Sequence, residues 1–149
     1  NASYPLEIPF RLINMYSQQG DIVLDPFLGM GTTTIAAMMS QRNSVGVEID
    51  AKLLPYIFDN IDGISTKMVN DAIYQRYINH LEFVRERESL GREVKYYNED
   101  LKCKVMTSQE TDMNIHFLQS IIKCHNKTIG YECKYYDDVA VCDYDYIRQ

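Results

Sequence analysis

Asp25, Gly29, Gly31 and Glu48 are the residues of this chain whose types and spacing could do chemistry. They lie within one stretch, DIVLDPFLGMGTTTIAAMMSQRNSVGVEID, residues 21–50. An acid closes a short apolar run, and two glycines follow with one residue between them. Three threonines then open a helical segment, and a second acid stands at the end of the next apolar run. A glycine loop between strand and helix lets backbone approach a ligand closely, while the helix N-terminus offers N–H donors without partners. A carboxylate at the end of the next strand can accept from both hydroxyls of a ribose. Two glycines alone are a weak signal; Glu48 at that distance strengthens it. The pattern points to a nucleotide-type ligand.

The loop itself narrows the ligand. The third glycine of a G-x-G-x-x-G fingerprint would fall at position 34, where this chain has Thr34. A β-branched side chain there obstructs the tight helix–strand packing expected around a pyrophosphate. No Gly-Lys-Ser/Thr follows, which excludes a Walker loop. An adenosine without a pyrophosphate suits these residues better. S-adenosylmethionine is the commonest such cofactor, and its cationic amino group and sulfonium suit Asp25. Plainer roles exist for single residues: Asp25 as a loop cap, Thr32 as a helix N-cap, Asp50 as the N-cap of the next helix. Cofactor binding is favoured for Asp25 with Glu48 and the glycines taken together, and the capping role for Asp50.

Asp25-Pro26-Phe27-Leu28-Gly29-Met30-Gly31-Thr32-Thr33 resembles the cofactor motif of the DNA amino-methyltransferases, which methylate adenine N6 or cytosine N4. Val45-Gly46-Val47-Glu48-Ile49-Asp50 is similar to the acidic second-strand motif of that family. Tyr4-Pro5-Leu6-Glu7-Ile8-Pro9, followed by Leu12-Ile13, resembles the segment preceding the cofactor loop in the circularly arranged β-class. Family members commonly carry His-Pro where this chain has Tyr4-Pro5. The resemblance covers residues 3–61, and residues 80–109 look like a tail of some archaeal-type members. It implies a partial Rossmann-like, S-adenosylmethionine-dependent methyltransferase fold. It assigns Glu48 to the ribose, and the backbone from Phe27 through Gly29 to Gly31 to the adenosyl and methionyl groups. Asp25, Thr32 and Thr33 would lie near the methionine amine and carboxylate.

The same family needs a second motif, Asp/Asn/Ser-Pro-Pro-aromatic. Its polar groups orient the target amino nitrogen, and its aromatic stacks on the flipped base. This chain has no Pro-Pro; its prolines are Pro5, Pro9, Pro26 and Pro55. In the β-class order, catalytic motif and target-recognition region precede the cofactor segments. The resemblance therefore implies the C-terminal, cofactor-binding part of an enzyme whose catalytic half, and with it the grip on double-stranded DNA, lies upstream. No catalytic residue is assigned within these residues, and the chain alone is expected to be inactive. Two other readings stand beside this one. The first is a non-catalytic adenosyl-cofactor-binding module; the second is a piece of an RNA or small-molecule methyltransferase.

Composition agrees with such a division of labour. The net charge is −6, whereas a surface that grips DNA phosphates is usually basic. The one positive cluster, Arg85-Glu86-Arg87-Glu88 with Arg92 and Lys95, alternates with acids and reads as a solvated helix face. No apolar run reaches the length of about 20 residues that a membrane helix needs. No secretory signal pattern is present, and a cytoplasmic protein is expected. Asn1-Ala2 reads as a remnant of tag cleavage, with the natural sequence cut just before Ser3. Cys103, Cys124, Cys133 and Cys142 include no C-x-x-C knuckle, so free thiols are expected rather than a zinc site with His116 and His125.

The elements that must position the site follow from periodicity. Phe10, Leu12, Ile13 and Tyr16 have helical spacing after proline-punctuated turns, with Gly20 as the stop. Ile22-Val23-Leu24 is fit for a strand buried on both faces of a parallel sheet. Thr32–Ser40 reads as a helix with Ile35, Ala36 and Met39 toward the sheet, and Ser44–Ile49 as the second strand of a β-α-β unit. A helix follows from Ala51 to the Asp62-Gly63 break. One long helix then runs from Ile64 to Leu90, packing through Met68, Ile73, Tyr77, Leu81 and Val84. Ile115–Cys124, Ile129–Tyr136 and Val139–Ile147 read as a three-stranded antiparallel meander with turns at Asn126-Lys127 and Asp137-Asp138. Its tyrosines are read as packing residues rather than base-stacking ones. The expected organisation is an α/β cofactor segment over residues 3–61, a long helix over 62–92 and a β-rich extension over 93–149. An uncovered sheet edge is expected to make the chain self-associate.

Overall fold

Helix α1 (Glu7–Tyr16) forms despite its proline, because Pro9 sits in the first turn, where no intrahelical N–H is required. In the computed structural model, which describes residues 4–125 and 129–137, it leads into strand β1 (Ile22–Asp25) through a turn at Gly20. Helix α2 (Thr32–Met39) crosses to strand β2 (Asn43–Gly46). The strands pair in parallel, Ile22 opposite Asn43 through Asp25 opposite Gly46. This is the expected β-α-β unit. A single 3-10 turn (Ala51–Leu53), N-capped by the Asp50 side chain at Lys52 N–H, leads into α3 (Leu54–Asp62), which carries Pro55 in its first turn. The capping role anticipated for Asp50 is thus present.

The chain divides into two compact units after Ser65. In the first, Ile13, Ala36 and Ala37 are buried together, and Leu6, Phe10 and Val23 pack against them. Both α1 and α2 therefore serve Val23, on one face of the strand pair. Ile22 is 70% exposed and Leu24 64%, so β1 is not buried on both faces as its apolar run suggests. Val45 and Val47 on and beyond β2 are exposed as well. Among the described residues β1 pairs with β2 alone, leaving the outer edge of β1 without a strand. On α2 the buried side chains are Thr33, Ala36, Ala37 and Met38; Ile35 and Met39 are only half-buried.

The second unit is built on α4 (Thr66–Ser89), two residues shorter at its start than periodicity suggests. Val69, Ile73, Tyr77 and Val84 are buried on it, Leu81 is half-buried, and Met68 is exposed rather than packed. Two antiparallel hairpins accompany it: β3 (Tyr96–Asn98) with β4 (Cys103–Val105), and β5 (Leu118–His125) with β6 (Ile129–Tyr135). The helix packs on β4 and β5. Buried polar side chains join these elements. Asn70 donates to the Leu118 carbonyl and accepts from the Leu118 N–H, standing in for a strand partner. Asn98 donates to the carbonyls of Glu110 and Met113 and accepts from Leu101 N–H. The β5–β6 pair accounts for two strands of the expected meander. Its third run, Val139–Ile147, and the Asn126-Lys127 turn lie outside the described residues. No helix among the described residues is long and apolar enough to cross a membrane.

Candidate cofactor site

The first unit gathers the proposed site at the carboxyl end of β1. Asp25 is the last residue of that strand, and the loop from Pro26 to Gly31 carries the chain to α2. Gly29 (φ +55°) and Gly31 (φ +81°) both occupy the left-handed region, which side chains disfavour. A Cβ on Gly31 would also stand 3.3 Å from Cγ2 of Ile57, so α3 closes the loop from behind. Gly31 precedes Thr32, which opens the first turn of α2 with its N–H groups at the loop. Phe27 is 85% exposed at the mouth of the loop.

Glu48 lies two residues past the end of β2, not within the strand as its apolar neighbours suggest. The ladder continues toward it all the same: Val47 N–H donates to Asp25 O, and Leu28 N–H to Val47 O. Its carboxylate spans the loop. Oε2 accepts from Gly29 N–H at 2.9 Å, and Oε1 from Asp50 N–H at 2.9 Å. These bonds, Asp50's first and then Gly29's, hold its carboxyl below the usual carboxylate range. Each oxygen retains a lone pair, so an ionised Glu48 can still accept two ribose hydroxyls.

Asp25 is held at both oxygens. Oδ1 accepts from Phe27 N–H at 3.0 Å, and Oδ2 faces the Tyr4 hydroxyl at 3.5 Å. Tyr4 in turn shares a 2.7 Å hydrogen bond with Thr33 Oγ1. Of the residues singled out by sequence, the loop joins Asp25, Phe27, Gly29 and Gly31 to Thr32 and Thr33, and Glu48 bonds directly to Gly29. Their residue types fit an adenosyl cofactor: a left-handed glycine loop, an exposed aromatic, a ribose-type carboxylate and a separate acid for a cation. An open cavity of about 390 Å³ adjoins Tyr4, Asp25 and Thr33, floored by Ile8, Leu12 and Leu24.

Sequence reasoning missed two contributors. Gly46 is needed because a Cβ there would lie 2.6 Å from Leu28 Cδ1, so the loop could not fold over β2. The only sequence signal was a glycine between valines. Tyr4 was read as part of a motif, but its bond to Thr33 spans nearly the whole segment and leaves no local trace. The cysteines lie in the second unit. Cys103 is buried on β4, Cys124 and Cys133 are half-buried on β5 and β6, and burial pushes the Cys133 thiol up. No group of three metal-ligating side chains occurs among the described residues, and Cys142 lies outside them.

A parallel β-α-β unit with a left-handed glycine loop and a carboxylate bridging it defines an α/β nucleotide-type binding segment. Residues 1–59 match the model of the family described as DNA methylase, and the chain belongs to that family. The chain is 44% identical over 125 residues to the type II methyltransferase M.MthZI of Methanothermobacter thermautotrophicus, covering 84% of this chain and 34% of that one. It is 53% identical over 78 residues to the type II methyltransferase M.MjaI of Methanocaldococcus jannaschii, covering 52% of this chain and 25% of the relative. The chain thus spans about a third or less of the length of these relatives. A DNA modification methylase of Thermus thermophilus, crystallised with S-adenosyl-L-methionine, aligns with a TM-score of 0.38 and 43% identity over 40% of this chain and 25% of that one.

Proposed function

We propose that this chain is the S-adenosylmethionine-binding part of a DNA methyltransferase acting on an exocyclic amino nitrogen, adenine N6 or cytosine N4. The observation that carries the reading is Glu48, whose carboxylate ties Gly29 to Asp50 at the head of a left-handed glycine loop. Glu48 would take the ribose, the Phe27–Gly31 loop the adenosyl group, and Asp25 with Thr32 and Thr33 the charged amino-acid end. When bound, the cofactor supplies an electrophilic methyl group. Family membership and the type II relatives support DNA as the substrate of the whole enzyme.

The chemistry on the base is assigned elsewhere. Amino nitrogens of bases are poor nucleophiles because their lone pairs are delocalised into the ring. The nitrogen must be held in line with the methyl group, a geometry worth several kcal/mol of barrier. A Pro-Pro-aromatic loop performs that task in the family, and this sequence has none. We assign that loop and the main grip on DNA to polypeptide other than these residues. The open edge of β1 and the exposed Ile22 and Leu24 suit a strand supplied by that polypeptide, and would drive self-association without it. Calorimetric titration with S-adenosylmethionine and with NAD tests the reading. S-adenosylmethionine is expected to bind and NAD not; NAD bound as tightly would overturn it.

A further inference from the structure

We infer that Tyr4 is a positioning residue that gives the site its preference for ligands bearing a cationic amino-acid end; the inference rests on the cofactor reading above. A carboxylate can only accept, so the geometry orders the hydroxyl protons. Thr33 donates to Tyr4 across 2.7 Å, and Tyr4 turns its own proton toward Asp25 Oδ2. The other oxygen, Oδ1, is taken by Phe27 N–H. Loop backbone on one side and phenol on the other thereby fix the plane of the Asp25 carboxylate. At 3.5 Å the Tyr4–Asp25 contact is too long to bind strongly, and its part is orientation. The strong bond is the one to Thr33, which is buried in the first turn of α2 and anchors the phenol.

The site therefore has two separately held acids. Glu48 is oriented entirely by backbone N–H groups, whereas Asp25 depends on one side chain from outside the loop. Loss of the Tyr4 hydroxyl leaves Glu48 and the glycine loop untouched and frees one side of Asp25. Binding of an adenosyl ligand with its amino-acid end should suffer, and binding of the same nucleoside without it should not.

S-adenosylhomocysteine and 5′-methylthioadenosine make the comparison, since both are thioethers and only the first carries the amino acid. Calorimetry on the 149-residue chain is expected to show Tyr4→Phe weakening S-adenosylhomocysteine about fivefold, the scale of one neutral hydrogen bond. The same variant should leave 5′-methylthioadenosine within about twofold. Glu48→Ala is expected to weaken both. Equal losses for both ligands in Tyr4→Phe would show a merely structural role and overturn the inference, as would no loss for either. If the unsubstituted chain binds neither compound, the cofactor reading itself falls and takes this inference with it. Matching circular dichroism spectra for the two variants and the parent exclude misfolding as the cause.

Discussion

The two units use polar side chains in opposite ways. In the first, Asp25 and Glu48 are partly open, touch backbone N–H groups of their own loop and keep acceptor capacity to spare. In the second, Asn70 and Asn98 are buried and spend their amides on fixed backbone groups: Leu118 for the one, Leu101, Glu110 and Met113 for the other. Tyr77 does likewise, donating from its buried hydroxyl to Leu101 O. Polar groups of the second kind hold hairpins to a helix and have nothing left for a ligand. A polar residue with partners and remaining capacity is the better functional candidate than one that is merely buried.

That contrast breaks most readily at Asn98. Asn98→Ala would strand a buried N–H and two carbonyls, and is expected to destabilise the second unit by about 3 kcal/mol. Denaturant unfolding checks this; a loss below about 1 kcal/mol would mean the amide is dispensable. Glu48→Ala should show the converse, weakening S-adenosylmethionine binding by about tenfold to a hundredfold, the scale of hydrogen bonds to a charged group. Calorimetry that finds wild-type affinity would remove the ribose assignment. Gly31→Ala combines a left-handed backbone with a crowded Ile57, and a loss of about 1–2 kcal/mol in stability is expected from the backbone alone. An unchanged melting temperature would show that the loop relaxes at no cost.

The smallest effect is on pH dependence. Glu48 has its folded pKa held below the ordinary value of 4.5, so its contribution to stability is present above that value. It is lost as pH falls through the lowered folded pKa. Melting curves of the parent and Glu48→Gln should therefore converge in the acid range below 4.5. A difference that stays constant across that range would contradict the hydrogen-bonded carboxylate.

Legibility in the sequence followed the range of the interaction. Gly29, Gly31 and the Thr32 helix start were readable because loop and turn are local, and the β-α-β order followed from alternating apolar runs. The acids were found from their distance along the chain, though Glu48 proved to lie beyond β2. Burial was misjudged where it depends on what lies across the fold. Ile22 and Leu24 look like core because they are apolar, yet α1 and α2 cover only the Val23 side. Met68 fits the helical period of α4 and still stands on its exposed side. The β3–β4 hairpin escaped notice because three-residue strands carry too few residues to show alternation; buried Asn98 secures it instead. The Tyr4–Thr33 bond is a tertiary contact with no periodic trace.

Retention and transfer of a labelled methyl group test the central claim most directly, that these residues hold the cofactor while the chemistry on the base lies elsewhere. The pure 149-residue chain is mixed with methyl-labelled S-adenosylmethionine and mixed-sequence duplex DNA, and label is counted on protein and on DNA. The expected result is reversible retention by the protein, lost in Glu48→Ala, with none in the DNA until polypeptide carrying a Pro-Pro-aromatic loop is supplied. Label entering DNA from the chain alone, surviving removal of trace host enzymes, would place the active site within these residues and contradict the division proposed here.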